Sequence, residues 1–92
     1  MFRCIGKYGN YHAHEIDFGE TETIEQLLSV TIKQMNSLKP ETSVHFYVFQ
    51  KNEMVGRFMR YEYDDITCYL HYVPKEEVVE FIRNKKKRLG LN

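Results

Sequence analysis

Ninety-two residues, 42% of them apolar and 28% charged, with 13 basic residues balancing 13 acidic ones, describe one globular domain of ordinary composition, 1–92. The balance excludes a global field that would steer the molecule onto nucleic acid or a membrane surface, and zero net charge eases self-association. Two cysteines, Cys4 and Cys68, without CxxC spacing exclude a disulfide framework. Their strand-like apolar surroundings suit buried free thiols, although one bridge between them stays open.

No charged-then-apolar leader opens the chain and no apolar run approaches bilayer length. A cytoplasmic, reducing compartment without membrane contact is the expectation. Charge is unevenly placed. Glu15, Asp17, Glu20, Glu22 and Glu25 crowd one stretch without a base, and Arg83, Lys85, Lys86, Lys87 and Arg88 crowd another.

Residues 2–8 and 11–18 flank Gly9-Asn10 and read as a β-hairpin, with Gly9 opening a type II′ turn because glycine takes positive φ without strain. Their alternation is untidy: Ile5, His12, His14, Ile16 and Phe18 would share a face with Arg3 and Lys7. Residues 21–38 predict a helix, since Ile24, Leu27, Leu28, Thr31, Met35 and Leu38 form one stripe at the 3.6-residue period, with Ile32 at its edge. Thr23 and Gln26 have capping-box spacing, with Thr21 as a competing cap. Lys39-Pro40 ends the helix.

The stretch Val44–Val73 holds eight of the chain's seven Tyr and six Phe residues and reads as a three-stranded meander. Two-residue turns at Lys51-Asn52 and Asp64-Asp65 pair Phe46 with Arg57 and Met59 with Leu70. They place Val44, Phe46, Val48, Val55, Met59, Tyr61, Ile66, Cys68, Leu70 and Tyr72 on one face, with Arg57 the misfit among them. A one-residue slip would exchange the faces. Residues 74–89 predict a second helix, with Pro74 in the first turn, Val78, Phe81, Ile82 and Leu89 as its stripe, and Gly90 at its C-terminal cap. The order is ββαβββα, an α+β domain with a mainly antiparallel sheet of about five strands and both helices packed on one face.

The opposite face of the meander is where function is expected. It gathers His45, Tyr47, Phe49, Met54, Gly56, Phe58, Arg60, Tyr69, His71 and Val73, with His45, Phe58 and His71 in one cross-strand row. Rings interleaved with imidazole and guanidinium groups can bury against a protein, stack on bases or hold a cation, and equally can pack beneath another part of the fold. Whether the N-terminal hairpin extends the sheet or covers this face decides between these uses.

The leading expectation is a non-enzymatic inhibitor or adaptor, of the size encoded by phages and mobile elements, that contacts a protein through His45, Tyr47, Phe58, Arg60, Tyr69 and His71 and forms a homodimer. The alternative is an RNA or single-stranded nucleic-acid module, with the basic run Arg83, Lys85, Lys86, Lys87 and Arg88 holding phosphate. A third reading is a small His- or metal-dependent enzyme, for which the HxH pair His12 and His14 supplies candidate ligands. No glycine-rich phosphate loop, nucleophile elbow or HExxH segment is present, and no cofactor is expected.

Overall fold

The computed structural model describes residues 1–38, 43–60 and 70–88, with Arg60, Lys85 and Arg88 described by backbone alone. Five strands, β1 (Phe2–Tyr8), β2 (His14–Thr21), β3 (His45–Gln50), β4 (Glu53–Arg60) and β5 (Leu70–Pro74), form one sheet in the order β2-β1-β3-β4-β5. Every neighbouring pair is antiparallel. Helix α1 (Ile24–Leu38) connects β2 to β3, and α2 (Val78–Arg88) follows β5 through a 3-10 turn at Lys75–Glu77. The architecture is α+β, as the sequence implies. The expected second turn at Asp64-Asp65 and the residues Lys39, Pro40, Tyr61, Ile66, Cys68, Tyr69, Leu89 and Gly90 lie outside the described residues.

The N-terminal hairpin extends the sheet: β1 pairs with β3 from Phe2 to Lys7, Cys4 opposite Val48 and Gly6 opposite Phe46. Its connection is longer than the expected two-residue turn. Gly9 does take positive φ, at 85°, but a 3-10 turn at Asn10–His12 follows, closed by the His12 N–H donating to the Gly9 carbonyl at 3.1 Å. Tyr8 therefore pairs with His14. His12 leaves the strand, and Ile16 and Phe18 turn to the side opposite Arg3, Ile5 and Lys7.

Helix α1 starts as its sequence implies. The Thr23 hydroxyl accepts the Gln26 N–H at 3.1 Å, and the Gln26 side chain accepts the Thr23 N–H at 3.3 Å, satisfying two donors that a helix start leaves open. Leu27 and Thr31 are fully buried, and Ile24, Leu28, Ile32 and Met35 pack onto the core formed by Cys4, Phe18, Leu27, Phe46, Val48, Phe58 and Leu70. Leu38, placed on the same stripe, is 53% exposed. Among the described residues α1 is the only helix contributing to this core. Helix α2 packs against β5 and the turn that precedes it.

Two β-bulges set which residues face α1. In β2, Cys4 pairs with Gly19 and Ile5 with Asp17, so Phe18 is the extra residue. In β4, Val48 pairs with Gly56 and Phe49 with Met54, so Val55 is the extra residue. A bulge leaves its extra residue out of the ladder. Here a side chain takes up each freed carbonyl: Gln34 of α1 donates to the Phe18 oxygen at 2.7 Å, and the Tyr72 hydroxyl donates to the Val55 oxygen at 3.2 Å.

The second bulge overturns the expected register of β4. The Lys51-Asn52 turn forms as expected, with φ of 51° and 64° as a type I′ turn requires, and Gln50 opposite Glu53. Beyond Val55 the alternation is displaced by one residue. Phe46 pairs with Phe58 and Tyr47 with Arg57, while Arg57 pairs with Val73 and Met59 with His71. Phe58 enters the core under α1, and Arg57 and Met59 turn to the other face. The assignments of β3 and β5 stand.

Candidate functional site

The sheet face turned away from α1, here the outer face, carries five aligned residues, one per strand: Asp17, Ile5, Tyr47, Arg57 and Val73. Beside them lies a second row in which Glu15 pairs with Lys7, Lys7 with His45, and Met59 with His71. Because the hairpin lies beside β3, no strand among the described residues crosses this face. Ile5, Tyr47, Phe49, Arg57 and Met59 are half-buried. Val73 is buried although it faces away from the α1 core, and it lies on β5, against which α2 packs.

Tyr47 is the centre of the face. The Arg57 guanidinium carbon lies 4.8 Å from its ring centroid and the Lys7 ammonium 5.7 Å away, both within reach of the ring's negative quadrupole. Arg57 also donates from Nη2 to Nδ1 of His45 at 3.1 Å. An accepting Nδ1 places the proton of the neutral ring on Nε2. Burial first, then the Arg57 charge and then His12, push the His45 pKa below its usual 6.5, so the ring is neutral at pH 7. The His12 ring stacks on His45 with centroids 4.7 Å apart, which carries the hairpin turn back over the face. At its tip Tyr11 is fully exposed with φ of 57°.

Charges divide across this surface. Arg3 pairs with Asp17 and lies 3.7 Å from Glu20, and the Lys7 ammonium lies 3.6 Å from Glu15. Such exposed pairs add little stability, yet they neutralise the β1 cations with β2 acids. Among the described residues Arg57 has no such carboxylate. Its Nε–H is closed off from water and meets no acceptor among the described residues.

The structure brings together His45, Tyr47 and His71 on the outer face, as expected. It removes Phe58, which is 2% exposed and packs edge-on to Tyr72 at 6.2 Å, so the row of His45, Phe58 and His71 does not form; Met59 takes the place beside His71. Arg60 pairs with Leu70 through the backbone, and Tyr69 lies outside the described residues. His12 and His14 do not point the same way: His12 stacks on His45, whereas His14 opens β2 and stacks on Tyr8 at 5.2 Å. Among the described residues no three His, Cys, Asp or Glu groups stand close enough to share a metal ion. On α2, Arg83, Lys86 and Lys87 are exposed, and Lys85 and Arg88 follow the same helix.

Sequence reasoning missed Arg57, Ile5, Lys7 and Met59. The signal for Arg57 was present, since a lone cation in an apolar set is a misfit that a one-residue shift removes. Comparison of the chain with protein-family models, curated proteins and solved structures finds no match. Among the described residues no helix is long and apolar enough to cross a membrane.

Proposed function

We propose that this protein is a non-enzymatic binding module, of inhibitor or adaptor type, that engages a protein partner through the outer sheet face around Tyr47. The observation that carries this reading is the sheet order: β1 extends the sheet beside β3, so Ile5, Tyr47, Phe49 and Met59 form an aromatic and aliphatic surface that the described strands leave open. Apolar area of this kind, with Tyr and Arg at its centre, is what interfaces use as anchors. The neutral His45 and the aligned strands make it a preorganised surface, which lowers the ordering cost of association. His45 and His71 border it.

The test is solution mapping. Backbone amide shifts recorded as a captured partner is added should move at Ile5, Tyr47 and Arg57 and stay fixed along α1. Sizing of the isolated chain against its 11.1 kDa mass tells whether a second copy is that partner. Shifts confined to α2 would discard the reading.

A nucleic-acid reading is favoured by one observation, the exposed Arg83, Lys86 and Lys87 on α2. Glu15, Asp17 and Glu20 on β2, beside the outer face, oppose it, because backbone affinity for nucleic acid is chiefly electrostatic.

A further inference from the structure

Arg57 is unlike the other described cations of the outer face. Arg3 and Lys7 are each matched by a carboxylate of β2. Arg57 sits half-buried at the centre of the sheet, its guanidinium over the Tyr47 ring, and among the described residues its one side-chain hydrogen bond goes to a neutral imidazole. Its Nε–H is buried and meets no acceptor among the described residues. A guanidinium has five N–H donors in a planar fork shaped for a carboxylate, so most of the donor capacity is unused. Partial burial of a cation without a counter-charge is costly, and buried polar groups are ordinarily matched. Tyr47 and His45 hold the group in place, and little ordering entropy remains to be lost when an acceptor arrives.

We propose that Arg57 is the anchor of the binding face and takes one Asp or Glu side chain from a protein segment whose neighbouring residues are apolar. This rests on the binding role assigned to the face and specifies the chemistry of the partner. The apolar flanks follow from Ile5, Tyr47, Phe49 and Met59 around the guanidinium. A single acid is indicated, and not a polyanion, because Arg3 and Lys7 are already matched by Asp17, Glu20 and Glu15, which leaves Arg57 as the one described outer-face cation without a carboxylate. A partner that places an acid on Arg57 and apolar or basic residues toward β2 is complementary across the face.

Selection of a displayed linear-peptide library on the full chain tests this, with each selected peptide located on the protein by amide and Arg Nε–H shifts. The expected peptides share one Asp or Glu between apolar residues, move the signals of Ile5, Tyr47 and Arg57, and bind at least about tenfold more weakly to Arg57→Gln. Replacing the shared peptide acid by its amide should cause the same loss, a comparison that needs no altered protein. Arg57→Lys, which keeps the charge but lacks the fork, should fall between. Peptides that map to the face and ignore both changes overturn the carboxylate anchor while leaving the binding face intact. Peptides that all map elsewhere, or no enrichment over an unrelated bait, overturn both. A thymidine 20-mer that moves the same signals more strongly than any peptide, with steep salt dependence, replaces the carboxylate with phosphate and overturns the proposal.

Discussion

Arg57 donates from Nη2 to Nδ1 of His45 at 3.1 Å across the β3–β4 pair, tying the half-buried cation to a ring that can accept only while neutral. Loss of that neutrality breaks the bond and places like charges together. Burial, Arg57 and His12 hold the His45 pKa under 6.5. Between the folded and unfolded values the unfolded chain binds the proton and the native protein does not. The His45 contribution is therefore fully present above pH 6.5 and is lost as pH falls through that value toward the folded one. Imidazole nitrogen shifts should report the Nε2–H tautomer and a midpoint under 6.5, and Arg57→Gln should raise that midpoint. A midpoint unchanged by the substitution would dismiss the coupling.

Phe58 and Arg57 are adjacent in sequence and should behave as opposites in stability. Phe58→Ala opens a cavity among Phe46, Leu70 and Tyr72, and should cost about 3–5 kcal/mol in urea unfolding. Arg57→Ala removes a cation–π contact and one hydrogen bond on the half-exposed face, and should cost about 1 kcal/mol or less. Equal costs would contradict the bulged register of β4.

Gly56 lies beneath the Tyr72 ring, and a Cβ there would stand 2.6 Å from the Val73 carbonyl oxygen and 2.7 Å from the ring. Backbone cannot yield as a side-chain tip can, so Gly56→Ala should destabilise by about 1–3 kcal/mol. Tyr72→Phe leaves the Val55 carbonyl of the bulge without its donor and should cost about 1 kcal/mol. Thermal melting of the two variants checks both.

Cys4 is fully buried, and burial pushes its thiol up to about 12, so thiolate is absent at neutral pH. Labelling of Cys4 by a thiol reagent should occur only through unfolding and should accelerate with urea. The Thr31 hydroxyl faces this thiol, a weak partner, and meets no other hydrogen-bond partner among the described residues. Thr31→Val should therefore be neutral or stabilising by up to about 1 kcal/mol.

Much of this architecture is written in local sequence. The α1 stripe and its Thr23–Gln26 cap, the Lys51-Asn52 turn and the order of elements each follow from a period or a turn preference. What alternation alone could not supply is where it breaks. Phe18-Gly19 and Val55-Gly56 each set an apolar residue before a glycine within a strand, the mark of a bulge. Reading through the second one turned β4 over, moving Phe58 outward and Arg57 inward. The position of the hairpin was not legible for a different reason: pairing β1 with β3 is a long-range choice, and neither strand's pattern names its neighbour. The candidate face was visible through His45, Tyr47 and His71, while its centre was not.

The most direct measurement is site-specific photocrosslinking in the protein's native cells, with p-benzoylphenylalanine in place of Tyr47 on the outer face or of Val79 on α2, a residue that is 68% exposed. The binding face proposed here predicts a discrete crosslinked protein from position 47 that disappears with Arg57→Gln, and none from position 79. A partner captured from position 79 and not from position 47 would contradict it.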